Sequence, residues 1–253
     1  MKIIRKSVIV LAAVFLVCAG GFGKSAQAEE TVGLPDDSAV YEEIVNPAIP
    51  EIKENVTHIA CVGDSITFGY GVWITEWSKE HSYPACLERL LGDGYQTLNY
   101  GVSVKTLLKE GDEPYISHYM YEESLKADAE IYIIMLGSND SNPHNWDSED
   151  FASELKAFVQ IYIDLDSKPS VFLAVPPKVF EEGEAAFGVR DETIENEIAP
   201  IIRETGEKLG VPVIDLYGKT KDHPEWFMDG AHPNADGNGE LAKIFASCIT
   251  EEE

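Results

Sequence analysis

Cysteines, basic residues and long apolar runs are all scarce in this chain of 253 residues. It has four cysteines, too few for a disulfide framework. No CxxC or HExxH pattern occurs, so the sequence makes no case for zinc. Lys and Arg number 19 against 45 Asp and Glu, a formal charge of −26. That balance excludes a phosphate-backbone partner, because nucleic-acid binding rests on cations that neutralise phosphates. It equally disfavours adsorption to anionic membranes. The most apolar uncharged run, residues 7–20, spans 14 residues, short of the ~20 that a membrane-crossing helix needs. What the chain does have is 44% hydrophobic and 10% aromatic residues, a composition that few disordered chains combine.

The first residues read as an address. Lys2, Arg5 and Lys6 precede the apolar run, and Ala26-Gln27-Ala28 supplies an A-x-A cleavage pattern before Glu29. That order is a secretory signal peptide over residues 1–28, which places the mature protein outside the cytoplasm. Val17 before Cys18 argues against a lipid-anchored form, where a small residue is wanted. No stable membrane association is expected after cleavage. Losing the four cations Lys2, Arg5, Lys6 and Lys24 takes the formal charge from −26 to −30. Cys61, Cys86 and Cys248 remain. Cys61 lies in an apolar strand as a small buried hydrophobe, and a Cys86–Cys248 bridge between two helices stays open. Residues 29–56, acidic and punctuated by Pro35, Pro47 and Pro50, read as an extended leader. Residues 57–253 read as one domain.

Within that domain apolar strands alternate with helical patterns. Strands are expected at 58–63, 96–100, 129–136, 170–175 and 211–216. Helices are expected at 83–91, 121–127, 150–165, 192–209 and 239–249. This alternation predicts βαβ units: a three-layer α/β/α sandwich on a five-stranded parallel sheet, buried on both faces. In such a sheet the ligand crevice lies beyond the carboxyl ends of the strands.

Those ends carry chemistry. Gly63-Asp64-Ser65-Ile66-Thr67 follows the first strand, Tyr100-Gly101 ends the second, and Gly137-Ser138-Asn139-Asp140 follows the third. Asp229-Gly230-Ala231-His232-Pro233-Asn234 comes after the fifth, across a loop. A hydroxyl, a base with an acid three residues before it, and amide donors are the parts of a serine hydrolase. Ser65 is the candidate nucleophile and His232 the base that takes its proton. Asp229 is the candidate orienter of the imidazole. Ser65 N–H, Gly101 N–H and the Asn139 carboxamide are candidate oxyanion donors. Taken singly, each has a plainer reading: Ser65 a helix cap, Gly101 a turn, Asn139 an Asx motif, Asp229-Gly230 a turn dipeptide.

The four blocks, in this order, resemble those of the SGNH hydrolases, also called GDSL esterases and lipases. The resemblance brackets residues 58–249 and implies a flavodoxin-like fold. It also implies a Ser65, Asp229, His232 triad and an oxyanion hole of Ser65, Gly101 and Asn139. It implies no metal and no organic cofactor. The compact catalytic domain and the segment Ser82-Tyr83-Pro84-Ala85 are further similar to secreted sialate O-acetylesterase-like and acetylxylan esterase-like members, which points to an acylated carbohydrate as substrate. Aromatic residues crowd the crevice-side loops. Trp73, Trp77, Trp146 and Trp226, with Phe180 and Phe187, are candidate stacking platforms for sugar faces or simply loop anchors. His144 and His223 are expected near the crevice, and Asp64 in a structural role. A lysophospholipase or thioesterase of the same superfamily and a non-catalytic carbohydrate-binding module remain alternatives.

Overall fold

A computed structural model describes residues 42–250. The signal segment and residues 29–41 of the leader lie outside them. Five strands form one all-parallel sheet: β1 (Thr57–Gly63), β2 (Tyr95–Gly101), β3 (Ile131–Met135), β4 (Ser170–Val175) and β5 (Val213–Asp215). Their order is β2-β1-β3-β4-β5. β1 is hydrogen-bonded on both sides, with Val62 opposite Tyr100 of β2 and Ile134 of β3.

The sheet is covered on both faces, as its continuous apolar strands require. Alternate residues of a strand point to opposite faces, and the two cores divide accordingly. Ala60, Val62, Leu98, Tyr132 and Ile134 face one core, and Ile59, Cys61, Ile131, Ile133 and Met135 the other. Helices α3 (Tyr83–Leu91) and α9 (Ala235–Thr250) supply Leu87, Leu241 and Phe245 to the second core. α4 (Tyr119–Lys126), α5 (Ser148–Ile163) and α7 (Ala199–Leu209) supply Met120, Phe151, Phe158 and Ile202 to the first.

Local chemistry sets the helix ends. α5 begins two residues before its expected start, because Asp147 caps it by accepting the Glu149 and Asp150 N–H groups. α4 likewise starts early, capped by the His118 ring. The expected helix 192–209 is broken by a π-helical turn over Ile194–Ile198. Short helices without an expectation include α1 (Ser65–Phe68), α2 (Tyr70–Glu76), α6 (Glu181–Phe187) and α8 (Leu216–Thr220). Each is too short to display a helical period in sequence.

Cys86 and Cys248 are both free thiols, so no bridge joins α3 and α9. The latter half of the expected leader packs onto the domain. Gln96 on the edge strand β2 accepts the Lys53 N–H and donates to the Glu51 carbonyl, at 2.8 and 2.7 Å.

Candidate active site

β1 ends at Gly63, where the chain turns sharply into α1. A side chain at Gly63 would collide with Thr67 Oγ1 at 2.2 Å and the Met135 carbonyl at 2.6 Å. Glycine therefore allows α1 to fold back tightly over the strand end. Asp64 caps α1, its Oδ1 accepting the Ile66 N–H at 2.9 Å. Ser65 is the first helical residue, a position whose own N–H has no carbonyl one turn back to bond.

The base arrives from the far end of the chain. Beyond β5, Phe227 and Pro233 bridge antiparallel, and the Met228 N–H donates to the His232 carbonyl at 3.0 Å. Inside this tight loop Gly230 has φ +83, a left-handed conformation suited to glycine. Asp229 Oδ1 accepts the Ala231 and His232 N–H groups at 3.0 and 2.7 Å. Its other oxygen, Oδ2, accepts from His232 Nδ1 at 2.8 Å. A proton on Nδ1 leaves Nε2 as an acceptor, and the Ser65 hydroxyl lies 2.9 Å from Nε2. A hydroxyl, an imidazole and a carboxylate thus stand in line. Burial pushes the Asp229 carboxyl pKa up, but the His232 charge and the three hydrogen bonds outweigh it and hold the pKa below the usual carboxylate value.

Two rings pack against the imidazole. Tyr70 of α2 lies 4.5 Å away centroid to centroid, and Phe187 of α6 meets it edge-on at 4.9 Å. Phe187 stood among the crevice aromatics of the sequence, but Tyr70 did not. Only its position five residues after Ser65, inside a helix too short to read, would have marked it. α6 also clamps the loop, with the Phe180 N–H donating to the Gly230 carbonyl at 2.7 Å.

Asn139 lies in a 3-10 turn after β3, and its Nδ2 donates to the Lys105 carbonyl at 3.0 Å. Gly101 has a different job from the expected one. Its N–H is donated to Asn99 Oδ1 at 2.9 Å, so it is not a free oxyanion donor. A side chain at Gly101 would lie 2.1 Å from the Phe68 nitrogen and 2.6 Å from the Thr67 carbonyl carbon. The glycine lets β2 pass directly against α1.

Two buried carboxyls flank the site. Asp64, next to Ser65, is pushed up to about 6, chiefly by burial. Asp140, next to Asn139, is pushed up to about 7 by burial, although it accepts the Leu107 and Leu108 N–H groups at 3.0 and 2.8 Å.

The tryptophans divide. Trp146 is a loop anchor, its indole N–H donating to Glu197 at 2.9 Å and its ring packing on Phe151. Trp226 has one face covered by His223, stacked at 3.8 Å. Trp73 packs edge-on to Phe68, with its indole nitrogen buried and without a partner among the described residues. Trp77 is the most open of the four. The other expected neighbours of the crevice are engaged elsewhere: His144 with Asp112 at 2.5 Å, and His223 with Glu225 at 2.9 Å.

The GDSL-like lipase/acylhydrolase family matches residues 61–239. An acetylxylan esterase of Xylanibacter ruminicola is 32% identical over 221 residues, covering 80% of this chain and 45% of that protein. The chain therefore spans less than half the length of that relative. Among solved structures, a lipase/acylhydrolase from Enterococcus faecalis superposes with a TM-score of 0.63 at 22% identity, over 78% of this chain and 97% of its own. A carbohydrate acetylesterase from Sinorhizobium meliloti gives 0.62 at 19%, over 78% and 100%. At these identities the likeness is one of fold.

Proposed function

The chain belongs to the GDSL-like lipase/acylhydrolase family of ester hydrolases, and from that premise we propose a secreted serine esterase that removes acetyl groups from carbohydrate. The observation that carries the chemistry is the continuous relay of Ser65 Oγ, His232 and Asp229 at 2.9 and 2.8 Å. Ser65 Oγ attacks the acetyl carbonyl while His232 Nε2 takes its proton. Asp229 keeps the Nδ1–H tautomer and stabilises the imidazolium that forms. Backbone and carboxamide donors, with Ser65 N–H and Asn139 Nδ2 among them, hold the developing oxyanion. His232 then protonates the departing sugar oxygen. Water, deprotonated by the same nitrogen, hydrolyses the acetyl-enzyme and restores Ser65.

Two observations favour a carbohydrate. The 32%-identical relative is named an acetylxylan esterase, and two aromatic rings, Tyr70 and Phe187, pack against the base. The formal charge of −30 without the signal segment favours a neutral acetylated glycan over an anionic one, an effect that salt limits to about 8 Å. Secretion rests on the signal-like residues 1–28.

Acetate release from a panel of acetylated xylans, other glycans and sialosides tests the substrate, alongside p-nitrophenyl esters of rising chain length. Release from neutral glycans and a steep fall beyond short acyl groups are expected. Preference for long acyl chains would replace this reading with a lysophospholipase or thioesterase. Failure of a fluorophosphonate to label Ser65 would favour a binding module.

A further inference from the structure

An ester cleaved at Ser65 has an acyl side and an alcohol side. When the bond from the carbonyl carbon to the alcohol oxygen breaks, the proton that His232 Nε2 took from Ser65 passes to that oxygen. The alcohol therefore leaves within hydrogen-bond reach of Nε2, about 2.6–3.2 Å. Side chains that touch the imidazole and also reach solvent are the ones it meets. Two rings touch the imidazole, Tyr70 and Phe187. Tyr70 is 7% exposed and buried. Phe187 packs against the first core and still keeps part of its surface open. Among the described residues no tryptophan ring packs against His232.

The segment around Phe187 is fastened at several points. Gly183 meets Gly230 of the His232 loop backbone to backbone, where a Cβ would lie 2.7 Å from the Gly230 carbonyl carbon. Phe187 ends α6, and Gly188 after it has φ +73, with the place of a Cβ only 2.8 Å from Asn142 Nδ2. The Arg190 N–H then donates to Ser141 Oγ at 2.9 Å. The chain thus runs from the base to the turn that carries Asn139, and Phe187 lies on the rim between them. Asp191 ties the two ends of the segment together. Its Oδ1 accepts the Val179 N–H at 3.0 Å, and its Oδ2 accepts from Lys178 Nζ and from the Tyr217 hydroxyl, the latter at 3.0 Å.

We propose that Phe187 is the platform for the alcohol side of the ester. The apolar C–H face of the acetylated pyranose lies on its open surface while the sugar oxygen departs toward His232 Nε2. An aromatic ring suits such a ligand because it covers the apolar face and leaves the hydroxyl rim in water. A small alkyl alcohol has no face to lay on the ring, so Phe187 determines specificity for the leaving group. This rests on the carbohydrate esterase reading, and the test separates the two.

The test compares kcat/KM on the glycan deacetylated fastest in the panel above with kcat/KM on ethyl acetate. Both substrates deliver acetyl to Ser65 and need the same proton from His232, so only the alcohol differs. An inactive fraction of a variant, or a general effect on the base, lowers both values alike and leaves their ratio unchanged. Phe187→Leu, which keeps an apolar side chain against the core, should lower the glycan-to-ethyl acetate ratio about tenfold or more. Phe187→Tyr and Phe187→Trp, which keep a ring, should hold the ratio within about threefold of wild type. An unchanged ratio in Phe187→Leu, or an equal loss of ratio in all three variants, overturns the platform. A wild-type protein that hydrolyses ethyl acetate and none of the glycans overturns the carbohydrate reading, and the platform with it. A crystal structure of Ser65→Ala soaked with the same glycan gives a check free of changes at 187. A pyranose face within about 4.5 Å of the Phe187 ring is expected; a sugar seated elsewhere overturns the assignment.

Discussion

Replacing Asp229 by Asn separates catalysis from architecture at the site. The carboxylate does two jobs with two oxygens. Oδ1 accepts the Ala231 and His232 N–H groups and shapes the loop, while Oδ2 accepts the His232 Nδ1–H. An Asn side chain placed with its oxygen at Oδ1 keeps the loop. Its NH2 then faces Nδ1 and forces that nitrogen to become an acceptor. The ring proton moves to Nε2, which can no longer take a proton from Ser65 across 2.9 Å. Wrong-tautomer substitutions of this kind lower kcat by ~10⁴, equivalent to about 5.5 kcal/mol of barrier. Loss of one charge-assisted hydrogen bond costs about 1.5–3 kcal/mol of stability. For a domain of this size that lowers Tm by several degrees, not enough to unfold it at 25 °C. D229A loses the Oδ1 acceptor as well and leaves two backbone donors unpaired, so it should lose the same activity and markedly more stability. Steady-state hydrolysis of p-nitrophenyl acetate and thermal denaturation of both variants measure the two effects. If D229N retains kcat within about tenfold of wild type, the tautomer argument fails and the Asp229–His232 pair is structural.

Ser65→Ala should abolish hydrolysis and fluorophosphonate labelling with an unchanged circular dichroism spectrum; residual turnover within about tenfold of wild type would remove Ser65 as nucleophile. Gly101→Ala should destabilise by about 3 kcal/mol or more, since its Cβ would press on the α1 backbone, which cannot yield as a flexible side chain can. Urea unfolding measures this, and near-neutral stability would contradict the packing role. The carboxyl of Asp64, raised to about 6 by burial, makes stability fall as pH rises. The folded state keeps a proton that the unfolded chain has released from about pH 4 upward. The stability of D64N relative to wild type should therefore grow by roughly 3 kcal/mol between pH 4 and pH 8, and a flat difference in denaturant titrations would refute the argument.

The sheet was legible because its signal is local. Runs such as Ile131 to Met135 are apolar at every position, as a strand buried on both faces must be, and the helices between them carry their own period. Helix starts were misplaced by two residues where a cap decided them, as at Asp147 and His118. α1, α2 and α6 were invisible because four to seven residues cannot display a period. They are also the helices that carry Ser65 and the two rings against His232.

From its sequence alone, this chain determined its layers, its charge and the identity of the hydroxyl, imidazole and carboxylate that meet. Residue type and order relative to the strands suffice for that, since strand ends converge in a parallel sheet. Only the tertiary structure decided which backbone amides are free. The direction of an N–H depends on φ, ψ and the acceptors around it, not on residue type. That is why Gly101, the residue marked by composition, is committed to Asn99 and to close packing.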